Sequence, residues 1–294
     1  ISFFLGRIMA AFKFLVIGGD MRQVHLANYL CQKGHSVITY GIENPALSCN
    51  CLQASSFTSL VHPDMHIILP LPVTKDGTNL FITGNEPPVS IETLKSALMP
   101  SNIVFGGVIP KNLASDLKQL NISCYDLMAD SAVAIRNGIA TAEGAIAHAI
   151  LESNITLHNS NTLVLGYGRC GKVLCDKLKG IGANVTVCTR NPIDLALSES
   201  LGYNIIPFSR LKRYAGKFQF IFNTIPAPVL TSSCLNKINQ KTVIIDIASV
   251  PGGTDFNYAK KKGINAKLCL GIPGKTAACS SGEILAEAIL NKLL

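Results

Sequence analysis

The stretch "LVLGYGRCGKVL", residues 163–174, decides the fold of this chain. A short apolar run breaks into Gly166, Gly168 and Gly171, the Gly-x-Gly-x-x-Gly spacing, and resumes with helical periodicity in "GKVLCDKLKGIG". In such a turn the first glycine permits the sharp reversal, the second lets a pyrophosphate approach the backbone, and the third allows the helix to pack closely on the strand. The helix amino terminus then faces the phosphates, with Arg169 and Cys170 beside it.

The next apolar run, "NVTVCT" (184–189), ends where the residue that reads the adenosine ribose belongs. There the chain reads Thr189, Arg190, Asn191, with no carboxylate to accept from a free 2′-hydroxyl. Arg190 can pair with a 2′-phosphate and stack on adenine, so the sequence predicts NADP, with NAD possible.

Working outward, apolar runs continue at 204–208, 218–226, 242–249 and 266–273, with helical segments between them, which makes a six-strand doubly wound sheet. An earlier series lies at 14–19, 36–41, 66–72, 102–107 and 122–127. Alternation of strand and helix implies parallel sheets. The chain therefore reads as α/β in two domains. The first is an N-terminal Rossmann- or flavodoxin-like parallel sheet over residues 9–140. A connecting helix over 141–158 leads to a doubly wound NAD(P)-binding Rossmann domain over 159–294. The last domain includes the C-terminal helix, which opens near Ser281 and could fold back across the boundary.

Ligands in open α/β sheets lie outside the carboxyl ends of the strands. That places "NTIPAP" (223–228) and "DIASVPGGTDF" (246–256) beside the nicotinamide, with Asn223, Thr224, Ile225, Pro226, Asp246, Ala248 and Ser249 as cofactor-binding candidates. The six histidines stand at 25, 35, 62, 66, 148 and 158, outside the cofactor domain proper, which disfavours the His acid/base chemistry common in 2-hydroxy-acid dehydrogenases. On the substrate side, Arg22 follows the first strand, whose "GGDMRQ" is an incomplete fingerprint. "LMADSAVAIRNGIATAEG" (127–144) concentrates Asp130, Ser131, Arg136, Thr141 and Glu143. Arg22, Ser131, Arg136 and Thr141 are read as anion and substrate contacts, and Asp130 or Glu143 as the catalytic proton acceptor.

Composition narrows the class further. Of 294 residues 48% are hydrophobic and 15% charged, which excludes disorder. The formal charge of +8 is scattered rather than interleaved with aromatics, so a small anion is expected and a nucleic acid is not. The ten cysteines form no Cys-x-x-Cys pair, the nearest being Cys49 and Cys51, so no metal is expected and the thiols read as reduced. Arg7 and Lys13 interrupt the opening apolar run, so it does not read as a signal peptide. Residues 1–8 read as an upstream extension, and the protein as cytoplasmic with no membrane segment.

Taken together, "VIGGDMRQ", "TAEG", "LGYGRCGK", "NTIP", "DIASVPGGTDF" and "PGKTAACSSGEILA" resemble the A-subunit family of the dipicolinate synthases of spore-forming bacteria. The resemblance runs from about Phe14 to the carboxyl terminus, and "PGGTDF" after "DIAS" is its most specific part. It implies an NAD(P)-linked oxidoreductase subunit, NADP-linked by the reading of Arg190, that converts a dihydrodipicolinate-type intermediate of lysine synthesis to pyridine-2,6-dicarboxylate. It also implies partnership with a flavoprotein-like B subunit, and a location in the mother cell during sporulation. Homo-oligomerisation is expected of such a two-domain protein. Two alternatives stand beside this reading: another two-domain dehydrogenase of an amino or 2-oxo acid, and a non-catalytic nucleotide-binding scaffold.

Overall fold

The computed structural model describes residues 11–294 apart from 49 and 58; the expected extension at 1–8 and Cys49 lie outside the described residues. The chain divides into two compact units, 1–133 with 278–294, and 134–277.

The first unit is built on six parallel strands: β1 (Lys13–Ile17), β2 (Ser36–Tyr40), β3 (Leu52–Ala54), β4 (Met65–Ile68), β5 (Ile103–Gly106) and β6 (Ser123–Asp126). Their spatial order, β3-β2-β1-β4-β5-β6, is the Rossmann order. In β1, "FLVI" is buried on both faces, which is why the run is continuously apolar rather than alternating. Strand β3 has no signal in the sequence: "LQA" is short, largely exposed and free of β-branched residues. Pairing with β2, Ile38 opposite Leu52, creates it.

Helix α1 (Met21–Gln32) follows β1, with Asp20 as its cap. Helices α2 (Ile91–Ala97) and α3 (Lys111–Gln119) complete the central crossovers of this unit. Helix α4 (Ser131–Leu151) opens at its border and belongs to the second unit for nearly all its length.

The second unit repeats the plan with β7 (Asn161–Leu165), β8 (Asn184–Thr189), β9 (Asn204–Pro207), β10 (Phe220–Asn223), β11 (Val243–Asp246) and β12 (Asn265–Leu268). The order β12-β11-β10-β7-β8-β9 is again the Rossmann one. Helices α4, α5 (Arg169–Gly180) and α10 (Ile272–Thr276) pack on one face, where Ala145, Ala149, Leu174, Leu178 and Ile272 share a core. Helix α6 (Pro192–Ser200) links β8 to β9. The short α7 (Leu211–Tyr214), α8 (Ser232–Leu235) and α9 (Phe256–Lys262) cover the other face around Leu211, Leu235 and Ala259.

Two boundaries differ from the sequence reading. The connecting helix runs from Ser131 to Leu151 rather than over the expected 141–158: it begins ten residues early and ends seven early, and neither Gly138 nor Gly144 breaks it. Gly144 instead seats Ile272, whose Cγ2 would lie 2.2 Å from an added Cβ. The C-terminal helix α11 (Ala278–Leu293), assigned above to the second domain, belongs to the first unit. Its Leu285, Ala286, Ile289 and Leu290 enter the core that contains Val24, Ala27 and Leu30 of α1. The two backbones meet closely at Gly282, where an added Cβ would stand 2.6 Å from the Arg22 carbonyl. Apolar burial on α1 thus outweighs sequence adjacency.

Candidate functional site

Helix α5 starts at the carboxyl end of β7, the strand from which the second sheet winds in both directions. Its first turn holds no acidic residue, and its cap, Gly168, offers no side chain to satisfy the leading amides. These amides and the positive helix end suit an anion. The three glycines divide the work. Gly166 turns the chain at φ +91°. An added Cβ at Gly171 would stand 2.4 Å from the Gly166 carbonyl oxygen, so the helix presses directly on the turn. At Gly168 an added Cβ would meet nothing within 4 Å, so the space before the helix is open. Residues and geometry fit a dinucleotide pyrophosphate. Arg169 is exposed beside this space. Burial pushes the Cys170 thiol up to about 11, which makes it a neutral packing group rather than a nucleophile. Tyr167, buried under the turn, packs edge-on against Tyr203 at 6.2 Å.

The first sheet has the same strand order but closes the equivalent crevice with its own chain. Gly19 N–H donates to the Phe81 carbonyl at 2.7 Å, and Thr83 Oγ1 donates to the Gly19 carbonyl at 2.9 Å. The Arg22 guanidinium, read above as a substrate contact, is buried and spent internally. Nε and Nη2 grip the Asp20 carboxylate at 2.8 and 2.7 Å, and Nη2 also donates to the Leu71 carbonyl at 2.8 Å. Arg22 therefore locks the β1–α1 turn instead of reaching outward.

At the end of β8 the three polar residues separate. The buried Thr189 hydroxyl accepts from Asn191 N–H at 3.3 Å, and Asn191 Oδ1 caps α6 by accepting from Ile193 N–H at 3.0 Å. Both shape the turn. Arg190 projects to solvent, its guanidinium 4.5 Å from the centre of the Phe208 ring. The sequence reading missed Phe208. Strand register holds the signal, since Thr189 pairs with Pro207 and so brings Arg190 beside the next residue. The nearest acid, Asp194, faces Lys172 at 3.9 Å.

The loops after β10 and β11 are tied at their roots. Asp246 is fully buried: Oδ1 accepts from Asn223 Nδ2 at 2.9 Å and Ala248 N–H at 3.1 Å, and Oδ2 from Gly253 N–H at 2.9 Å and Thr254 Oγ1 at 2.7 Å. Asn223 Oδ1 in turn accepts from Ile225 N–H at 3.1 Å. Thr224 Oγ1 donates to the Leu165 carbonyl at 2.8 Å and clamps the loop to the glycine turn. Asn223, Asp246 and Ala248, taken above as cofactor ligands, are thus internal braces, and Thr224 is a clamp. Pro226 and Ser249 remain at the surface of the loops. The "PGG" turn is explained by packing: a Cβ on Gly253 would lie 2.5 Å from Asn223 Nδ2.

The candidate proton acceptors are also engaged. Asp130 Oδ1 accepts from Ala132 N–H at 2.8 Å and caps α4, and Glu143 pairs with Lys177 of α5 at 2.7 Å on an exposed surface. Thr141 Oγ1 bonds back to the Asn137 carbonyl at 3.0 Å, while Ser131 and Arg136 are exposed. Because α4 rises about 1.5 Å per residue, these side chains spread along its length rather than gather at one point.

The glycine turn, the Asp246 brace and the paired Rossmann sheets can now be set beside known proteins. Residues 13–128 match the family model described as the N-terminal domain of the dipicolinate synthase A subunit. The A subunit of dipicolinate synthase from Bacillus subtilis (strain 168) is 33% identical over 98% of this chain and 97% of its own length. The chain belongs to this family. The crystal structure of the dipicolinate synthase A subunit from Bacillus halodurans superposes with a TM-score of 0.86 at 30% identity, covering 96% of this chain and 97% of that one. A more distant relative is the shikimate dehydrogenase (NADP(+)) of Nitrosopumilus maritimus, 27% identical over 53% of this chain and 62% of its own length. Family membership accords with the resemblance drawn from "DIASVPGGTDF", and the wider kinship is with nicotinamide-dependent dehydrogenases. Among the described residues no helix is long and apolar enough to cross a membrane.

Proposed function

We propose that this chain is the oxidoreductase subunit that converts a dihydrodipicolinate-type intermediate to dipicolinate in sporulating cells, with NADP as hydride acceptor and in partnership with a flavoprotein-like B subunit. The observation that carries this reading is the open space before α5, beside an exposed Arg190 at a strand end without a carboxylate. A bound nicotinamide supplies the hydride-accepting carbon. The chain's own residues hold the dinucleotide: amides of the α5 first turn on the pyrophosphate, Arg190 on the 2′-phosphate, and the loops at 223–228 and 246–256 beside the ring.

Forming the pyridine removes one hydride and one proton from the ring, and aromaticity drives the step. Positioning therefore matters more than a strong base. The engagement of Asp130 as a cap and Glu143 as an ion-pair partner supports this weighting.

The deciding experiment mixes the purified chain with enzymatically generated dihydrodipicolinate and either NADP or NAD, with and without the B subunit. Reduced cofactor and dipicolinate are followed together. The proposal expects both to rise in equal amounts, faster with NADP. Absence of both products in every mixture defeats it.

A further inference from the structure

The edge of the second sheet opposite the glycine turn carries its own concavity. Residues 216–219 precede β10, 239–242 precede β11, and 154–155 lie ahead of β7; together they line a cavity of about 620 Å³. This is within the range of small-molecule sites, roughly 300–1,000 Å³. Phe218 and Ile155 give it apolar walls.

Besides Asn154 and Thr242, whose hydroxyl donates to the Phe218 carbonyl at 2.8 Å, the cavity carries two carboxamides held in a fixed orientation. Gln219 Oε1 accepts from Asn161 N–H at 2.7 Å, and Asn239 Oδ1 accepts from Lys241 N–H at 2.9 Å. Each carboxamide has committed its oxygen to the backbone, so what it offers a ligand is its NH2 group. Lys217 and Lys241 also line it; the Lys217 ammonium stands 4.9 Å from the centre of the Tyr214 ring, and among the described residues neither lysine has a carboxylate within ion-pair distance.

The surroundings reinforce the sign. Lys237, and Lys260 and Lys261 near the end of α9, lie on segments that run into the same sheet edge. Between residues 201 and 277 the only acids are Asp246, buried at the far end of β11, and Asp255, which caps α9. Beside Asn154, Glu152 is a carboxylate at this end of the sheet, and it is engaged by Lys267 at 3.4 Å and by Asn265 Nδ2 at 3.0 Å. The lysines therefore outnumber the acids here, and fields of this kind concentrate anions.

We infer that this cavity is a second anion site, which takes a small polyanion carrying two or more phosphate or carboxylate groups and is separate from the dinucleotide site. The lysines supply attraction, and the two fixed NH2 groups supply direction. The inference does not depend on the oxidoreductase reading, since the two sites lie at opposite ends of the strands.

The test is a titration of the full ¹⁵N-labelled chain with inorganic pyrophosphate, and in a parallel arm with citrate, following amide resonances by NMR. Saturable shifts are expected at Gly216, Lys217, Gln219 and Thr242 and in the Gln219 and Asn239 side-chain NH2 groups. A stronger response to pyrophosphate identifies a phosphate ligand, and a stronger response to citrate a carboxylate ligand. In the Lys217→Gln/Lys241→Gln variant the affinity read at these positions is expected to fall at least about tenfold, while shifts at 166–171 keep theirs. Shifts that never saturate at millimolar concentration, or the same affinity in the variant, overturn the inference. A missing response confined to 166–171 counts against the dinucleotide reading alone.

Discussion

The Asp246 carboxylate, at the end of β11 and fully buried, accepts a hydrogen bond of 2.9 Å from Asn223 Nδ2 at the end of β10. This bond ties the roots of the two loops that flank the proposed nicotinamide position. Asp246→Asn would set an NH2 group against donors that now converge on the carboxylate. Each buried donor left without an acceptor costs about 1–3 kcal/mol. Urea unfolding of the variant should show a loss of about 3 kcal/mol, and nucleotide affinity should fall with it. An unchanged unfolding midpoint would show that the loops hold their shape without this brace.

The glycine turn separates folding from binding. Gly171→Ala would force a Cβ against the Gly166 carbonyl and should destabilise the chain by about 1–3 kcal/mol. Gly168→Ala meets no neighbour, so its stability cost should stay near or below about 1 kcal/mol, the scale of a weakened cap. Its loss should appear in NADP affinity, because the methyl group enters the space assigned to the pyrophosphate. Thermal unfolding and calorimetric titration of both variants distinguish these outcomes.

The proposed function makes Arg190 the residue that discriminates between the two nucleotides. A hydrogen bond to a charged group contributes about 1.5–3 kcal/mol, so Arg190→Ala should weaken NADP binding about tenfold or more, and NAD binding, which loses only the stacking on adenine, by less. Equal losses for the two cofactors would remove the 2′-phosphate role.

The contact of Gly282 with the Arg22 carbonyl predicts a cost remote from any nucleotide. Gly282→Ala places a methyl group 2.6 Å from that oxygen and 2.9 Å from Leu26 N, so α11 must retreat from α1. A stability loss of about 1–3 kcal/mol is expected, without change in affinity for NADP. Hydrogen exchange should quicken in α1 and α11 together.

His35 and His66 predict an acid limb of stability. Each ring lies within 5.6 Å of the rings of both Phe12 and Phe14, and burial lowers both pKa values below the ordinary 6.5. His35 Nδ1 also accepts from Phe12 N–H at 3.3 Å, which needs the neutral ring. Below about pH 6.5 the unfolded chain binds protons that the folded chain resists, so stability is full above this pH and falls as the pH drops. Urea midpoints measured across this range should slope accordingly, and the slope should flatten in His35→Gln/His66→Gln.

Much of this molecule is legible in local patterns. Eleven of the strands coincide with apolar runs quoted from the sequence. The central ones, such as β1, β10 and β11, are buried on both faces and leave nearly uninterrupted Val, Ile, Leu and Phe, whereas the edge strands β6, β9 and β12 are partly exposed and more polar. The glycine turn is legible because its spacing encodes a backbone path. Side-chain employment is not. Arg22, Asp246 and Glu143 look alike as charged residues near strand ends or helix starts, yet one locks a turn, one braces two loops, and one makes a surface ion pair. The partners that fix these roles include Leu71, 49 residues from Arg22, Asn223, 23 residues from Asp246, and Lys177, 34 residues from Glu143.

The sequence by itself determined two α/β windings, the nucleotide turn at 166–171, an Arg in place of an acid at the end of β8, and the family to which these belong. Only the tertiary structure decided that α11 joins the first unit, that the crevice of the first sheet is closed by its own chain, and that Asp246 faces inward. Periodicity and turn chemistry act between near neighbours and are written in order along the chain, whereas burial and hydrogen-bond satisfaction depend on which distant segments arrive beside one another.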